Sequence, residues 1–337
     1  MATKVTWVLV LSSVGVVGLS GWCMYTGPDR VDLSTAHGKA FQYLREGRYD
    51  EAMRTITAVE AAARANLNHR PGPAISILMT KAQIRSLQMN MEDSERFLSQ
   101  LEKECVGTPA ADWVRVAACS ERAFGYRLME DWPEAVRAME KERELLVLQE
   151  RTGGQDEVDG LDALFRRFYI QAQAPAQIAD MHRFLGRTEI ALVEYRAALD
   201  YLNAHPEVVK PLHNYMQRIH NESFCPCRYR EVILPRAIRD CEAGCDSPLG
   251  ILARCVTCEA DQGDYLLAIG SAYQQRHALE AARRHYDNAQ RAIETNRCAL
   301  DSLDPEEEVR YTGLEEQIRK NINACNSALS KFGPDQS

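Results

Sequence analysis

Residues Ile269 to Ile293 read IGSAYQQRHALEAARRHYDNAQRAI. The stretch predicts two helices joined by a tight turn. Gly270, Tyr273, Ala282, Tyr286 and Ala289 give it a small, aromatic, small, aromatic, small order. Small residues at facing positions let two helix backbones approach, and the bulky residues a turn away interlock across the seam. One hairpin leaves an apolar face uncovered, so it must stack on others of its kind.

Four further segments supply them. Ser34 to Ala63 holds Gly47-Arg48-Tyr49-Asp50-Glu51-Ala52, with Ala40, Tyr43, Ala52 and Ile56 at the packing positions. Ala74 to Cys105 places Ala82, Ser94, Leu98 and Leu101 there, with Arg85 in the aromatic position. Asp112 to Leu148 offers Ala123, Tyr126, Ala135 and Met139. Its Trp132-Pro133 opens a second helix, where proline is tolerated because the first-turn amide has no helical partner. Pro175 to Leu202 has Ala179, Gly186, Ala191, Tyr195 and Ala198, with His182 in the aromatic position.

These motifs resemble the tetratricopeptide repeat. The resemblance implies an all-α chain, a right-handed α-solenoid of tetratricopeptide type, to which this sequence adds a cysteine-rich insertion and a C-terminal capping helix. The expected order is three repeats over 34–150, a Gly-rich acidic loop and leading helix over 151–174, and a fourth repeat over 175–204. A helical pair with the insertion follows over 205–260, then the fifth repeat over 261–298 and the cap over 304–331. Asp304-Pro305 and three glutamates start the cap, and Leu314, Ile318, Ile322, Cys325 and Leu329 form its single apolar stripe.

The resemblance also implies a function without catalysis. First-helix side chains of the family line a concave groove that holds an extended or helical peptide. The matching positions are His37, Phe41 and Arg45, Met79 and Gln83, Phe124 and Arg127, Asp180 and Arg183, and Ser271 and Gln274. His37 and Phe41 stand where chaperone-binding members carry a Lys and an Asn, so chaperone tails are not the expected ligand. A protein scaffold or assembly factor is expected, with a structural accessory subunit of a membrane complex as the alternative.

The insertion departs from the family. Cys225-Pro-Cys227, Cys241-x3-Cys245 and Cys255-x2-Cys258 put six of the eleven cysteines in one segment. In an oxidising compartment they would form three disulfides among themselves and order the segment from Phe224 to Asp261, which has few large apolar side chains. In a reducing one they are zinc ligands, with His213 or His220 within reach along the chain. Cys255-Val-Thr-Cys258 also has the spacing of a thiol-disulfide enzyme, although no strand-helix context surrounds it. No other cofactor is expected. Cys119 reads as a small buried apolar residue.

Net charge is −8 with no dense run of Lys or Arg, which argues against nucleic acid as partner. No catalytic nucleophile with its base, no phosphate loop and no small-molecule site is visible. Val5 to Tyr25 has no charged residue and carries Trp7 and Trp22 near its ends. It reads as a signal anchor within residues 1–25, with a cleaved signal peptide ending near Gly18-Leu19-Ser20 as the alternative. Lys4 and the amino terminus ahead of it, against Asp29, Arg30 and Asp32 behind it, leave a weak positive excess that favours a single-pass protein with its body on the extracytoplasmic side, or a secreted one after cleavage.

Overall fold

The computed structural model describes residues 30–65, 72–108, 110–152, 160–219, 225–244 and 246–332. Helices and the turns between them make up this part, and no strand occurs among the described residues. The apolar segment from Val5 to Tyr25 and the acidic loop 153–159 lie outside it. Among the described residues no helix is long and apolar enough to cross a membrane. The helices form two compact units, one within 30–152 together with Ala272–Gln275, the other within 160–271 and 276–332.

The N-terminal unit contains α1 (Arg30–Arg45), α2 (Tyr49–Ala65), α3 (Gly72–Leu87), α4 (Met91–Glu104), α5 (Ala111–Leu128) and α6 (Trp132–Thr152). Each helix packs on the next, and α3 also packs on α5. Ala40, Ala52, Ile56, Ala82, Leu98, Ala123, Ala135 and Met139 are all buried, as their spacing requires. At Gly125 the helices pack closely. A Cβ there would stand 2.4 Å from Met91 Sδ and 3.0 Å from Ser86 Oγ, so α5 reaches its neighbours only because that side chain is missing. Asn90 caps α4 by accepting the Asp93 N–H at 3.0 Å.

The C-terminal unit contains α7 (Leu161–Phe168), α8 (Ala174–Phe184), α9 (Thr188–Ala204), α10 (Pro206–Arg218), α11 (Pro226–Arg228), α12 (Leu234–Glu242), α13 (Pro248–Leu252), α14 (Cys258–Tyr273), α15 (Arg276–Thr295), α16 (Arg297–Leu300) and α17 (Pro305–Leu329). Single π turns join α7 to α8, α11 to α12 and α13 to α14. Two of them precede a proline, Pro175 and Pro235, at the second residue of the following helix. Proline lacks the amide that an unbroken helix needs and crowds the carbonyl four residues back. The wider turn accommodates this, and Ala174 and Leu234 donate to the carbonyl five residues back, at Tyr169 and Tyr229. Asp304 caps α17 as expected, accepting the Glu306 and Glu307 amides at 3.0 Å each. Tyr311, Ile318 and Cys325 of α17 are buried in one core with Ala282, Tyr286 and Ala289 of α15.

Five hairpin turns repeat one conformation. The residue two places before the second helix has positive φ in each: Gly47, Met89, Glu130, Gly186 and Gln274. In four of them the next residue, at 48, 90, 131 and 187, donates its amide to the carbonyl of Tyr43, Arg85, Tyr126 and His182, at 2.8–2.9 Å. This is the 6→1 bond of a Schellman ending. The small residue five places on, Ala52, Ser94, Ala135 or Ala191, then donates to the first carbonyl of the new helix at 3.0–3.1 Å.

The fifth hairpin departs from its sequence alignment. Its turn comes at Gln274, so Leu279 and not Ala282 lies five residues on. Leu279 is buried and fills the space beside Gly270, where a Cβ would meet its Cγ at 2.6 Å. Gln274 is therefore a turn residue rather than part of a first-helix face.

Candidate functional site

On α1, His37, Phe41 and Arg45 recur at four-residue spacing and so share one helix face. His37 Nε2 lies 2.8 Å from Ser76 Oγ and 3.1 Å from Thr80 Oγ1, and its ring stacks on Phe41 at 6.0 Å. Burial holds the imidazole pKa below its usual value, outweighing the hydrogen bond at Ser76. His37 thus serves as a neutral hydrogen-bonding group that fixes α1 on α3. Phe41 is half-buried and Arg45 is exposed.

The other positions of this unit are interior. Met79, Gln83, Phe124 and Arg127 are buried. Tyr273, which belongs with this unit, meets the Phe124 ring edge-on at 6.1 Å and accepts from Gln83 Nε2 at 3.2 Å. Arg127 donates back to the Ala123 carbonyl of its own helix at 3.1 Å. Of the expected groove positions on these helices, His37, Phe41 and Arg45 are the ones that keep some solvent exposure.

In the C-terminal unit Asp180 and Arg183 belong to a charged cluster, in which the Asp180 side chain stays 43% exposed. Arg183 pairs with Asp261 of α14, and the Tyr195 hydroxyl donates to Asp180. Arg183 is nearly buried, whereas Ser271 in the last turn of α14 is exposed. A second cluster draws on the acidic run that forms the first turn of α17. Glu307 is buried and accepts from Arg239 at 2.6 Å and from Arg310 at 2.8 Å. Arg310 also donates to the buried Asp240 at 2.7 Å. No short-range signal marks the Arg239–Glu307 and Arg310–Asp240 pairs, because their members stand about 70 residues apart. A hollow of about 380 Å³ lies along α15, lined by Arg276, Arg283, Arg284 and Arg291. Within it Glu280 pairs with Arg276 and Asp287 with Arg283, which cancels much of the positive charge.

The cysteine segment is ordered by helix packing. Tyr229, Leu234, Leu252 and Val256 are buried in the cores, and the Tyr229 ring meets Phe168 edge-on at 5.5 Å. These apolar anchors do the work expected of cross-links. Cys225, Cys227, Cys241, Cys255 and Cys258 are free thiols, and Cys245 lies outside the described residues. Cys258 is buried with its sulfur 3.8 Å from the Arg183 carbonyl, and burial pushes its thiol up to about 12 against the pull of the Arg183 charge. Burial likewise pushes Cys241 up to about 11. A nucleophilic cysteine needs the opposite shift.

Cys225 and Cys227 have a different setting. They flank Pro226 at the start of α11, with Cys225 and Pro226 buried and Cys227 half-buried. His213, about two turns along α10, points Nδ1 at Cys225 Sγ from 2.8 Å. One ligand atom from each of His213, Cys225 and Cys227 lies within 4.8 Å of the other two. Of the two histidines in reach by sequence, His213 is the one placed here, and His220 lies outside the described residues. Cys105, Cys119, Cys298 and Cys325 are free thiols, with Cys119 buried as expected. Neither a scan of the chain against protein-family models nor a search of curated proteins finds a match.

Proposed function

We propose that the chain is a tetratricopeptide-type α-solenoid that acts as a non-enzymatic scaffold or assembly factor, held at a membrane by residues 5–25. The observation that carries this reading is the repeated turn at Gly47, Met89, Glu130 and Gly186, each followed five residues later by a small buried residue. Repetition of one hairpin is the device by which solenoids build extended surfaces for protein ligands. The raised thiols of Cys241 and Cys258 weigh against a thiol-disulfide enzyme. Phe41 and Arg45 are the contact residues assigned to the N-terminal unit.

The test is capture of partners from detergent-solubilised membranes by the full chain, with identification by mass spectrometry. Phe41→Ala combined with Arg45→Glu should remove a specific set of captured proteins while leaving the helical circular dichroism unchanged. Undiminished capture by that variant would place the binding surface elsewhere. Native gels separate the two roles: a free pool indicates a scaffold, and confinement to one stoichiometric assembly indicates an accessory subunit.

A further inference from the structure

We propose that His213, Cys225 and Cys227 form a zinc site with three protein ligands and a fourth position open to water or an external ligand. The chemistry of the donor set comes first. Two thiolates and one imidazole are soft to borderline donors, a set that selects thiophilic ions over magnesium or calcium. Around a tetrahedral zinc, with bonds of about 2.0–2.3 Å, neighbouring ligand atoms stand about 3.5–3.8 Å apart. All three atoms already fall within 4.8 Å of one another, and the His213–Cys225 contact at 2.8 Å needs to open by less than about 1 Å to admit the ion.

The local fold places these atoms together for identifiable reasons. Val209, Leu212 and Met216 are buried on α10, and His213 follows directly in the sequence as a half-buried side chain. Pro226 at the first position of α11 fixes the backbone between the two cysteines, and buried Tyr229 anchors the turn that follows. Both cysteines therefore come from one rigid helix start, and the histidine from one packed helix.

Charge favours a divalent ion. Two thiolates balance zinc, so the core of the site is neutral where Cys225 is buried. A monovalent copper ion would leave one negative charge there, and burial of net charge is costly. The nearby Arg230 is already paired with Glu231 at 2.6 Å. Filling the site would tie α10 to α11 through three bonds and hold Cys225 and Cys227 as thiolates, in place of the disulfides expected from their spacing.

The experiment uses the full chain, purified in detergent under reducing conditions, stripped with a chelator and titrated with zinc. One zinc should bind per chain. Cobalt in its place should give thiolate-to-metal charge-transfer absorption that falls by about half in Cys225→Ser or Cys227→Ser. His213→Gln should shift the visible cobalt bands and weaken zinc binding by at least tenfold. Cys255→Ser, outside the cluster, should leave both unchanged. Should a serine variant fail to fold, His213→Gln still supplies the band shift. The proposal is overturned if reduced protein takes up no stoichiometric zinc, or if the cobalt spectrum is indifferent to His213 and Cys225. It is equally overturned if protein from its native membrane carries a Cys225–Cys227 disulfide and no zinc. None of these readouts depends on the scaffold reading.

Discussion

Arg310 reaches Asp240 at 2.7 Å, and only 1% of the Asp240 side chain remains exposed. The guanidinium lies between Asp240 of α12 and Glu307 of its own helix, so α17 is fixed to α12 by charge. Breaking a buried pair from one side costs about 3–5 kcal/mol where it strands the other charge without solvent. Asp240→Ala should destabilise the C-terminal unit by less than that, because Glu307 still holds Arg310 at 2.8 Å. Asp240→Ala with Arg310→Met should cost much less than the sum of the two single changes. Urea denaturation checks both, and strict additivity would remove the coupling inferred here.

Met89 occupies with positive φ a turn position that two of the other hairpins fill with glycine. A left-handed backbone costs a residue with a Cβ about 1 kcal/mol or more. Met89→Gly should raise the stability of the N-terminal unit by roughly 0.5–1 kcal/mol, after the added flexibility of the unfolded chain is deducted. Gly47→Ala should lower it by a similar amount. A Met89→Gly variant with a lower urea midpoint would contradict the equivalence of the turns.

The contrast between these two features explains what sequence reading reaches. Hairpins are local: a small residue five places past a left-handed turn is visible in a short window, so the helices and most core positions follow from it. The fifth hairpin defeats this logic because Gly270, Ala282 and Tyr286 imitate the packing pattern in a shifted register. The positive φ of Gln274 and the contact of Leu279 with Gly270 reveal where the turn is. Phe124 and Gln83 look like groove residues by position, yet Tyr273 buries them from about 150 or more residues away. Long-range pairing of this kind has no sequence period. The same holds for His213 and Cys225, twelve residues apart across a helix end, where spacing alone leaves zinc and disulfide both open.

Thiol reactivity should sort the cysteines by burial. Cys298 is exposed, whereas Cys325 and Cys258 are buried with thiols pushed up to about 11 and about 12. Attack on an alkylating reagent requires the thiolate, which is scarce at neutral pH for such groups. In native, reduced protein Cys298 should be alkylated first, with Cys258 and Cys325 labelled only on unfolding. Peptide mapping after a short pulse gives the order, and fast labelling of Cys258 would revive a redox role.

Glu121 gives the N-terminal unit a pH dependence of definite sign. Its side chain lies in the interior of α5's packing face, and Oε1 has no hydrogen-bond partner. Burial pushes its carboxyl up to about 8, against the opposing influence of Ser86 and Arg127. Between the usual carboxylate range and about pH 8 the folded chain therefore keeps a proton that the unfolded chain has released. Stability falls wherever the folded state holds more protons, so it should decline as pH rises across that window and level off above it. One proton of difference corresponds to a slope of about 1.4 kcal/mol per pH unit. Glu121→Gln carries a neutral side chain of similar shape at every pH and should lose this part of the slope. The variant should match the parent in mild acid and exceed it in stability above about pH 8. Urea midpoints measured from pH 5 to 9 test the difference, in which the shared contributions of other groups cancel. Parallel curves for parent and variant would mean that Glu121 is ionised in the fold and that its burial is compensated.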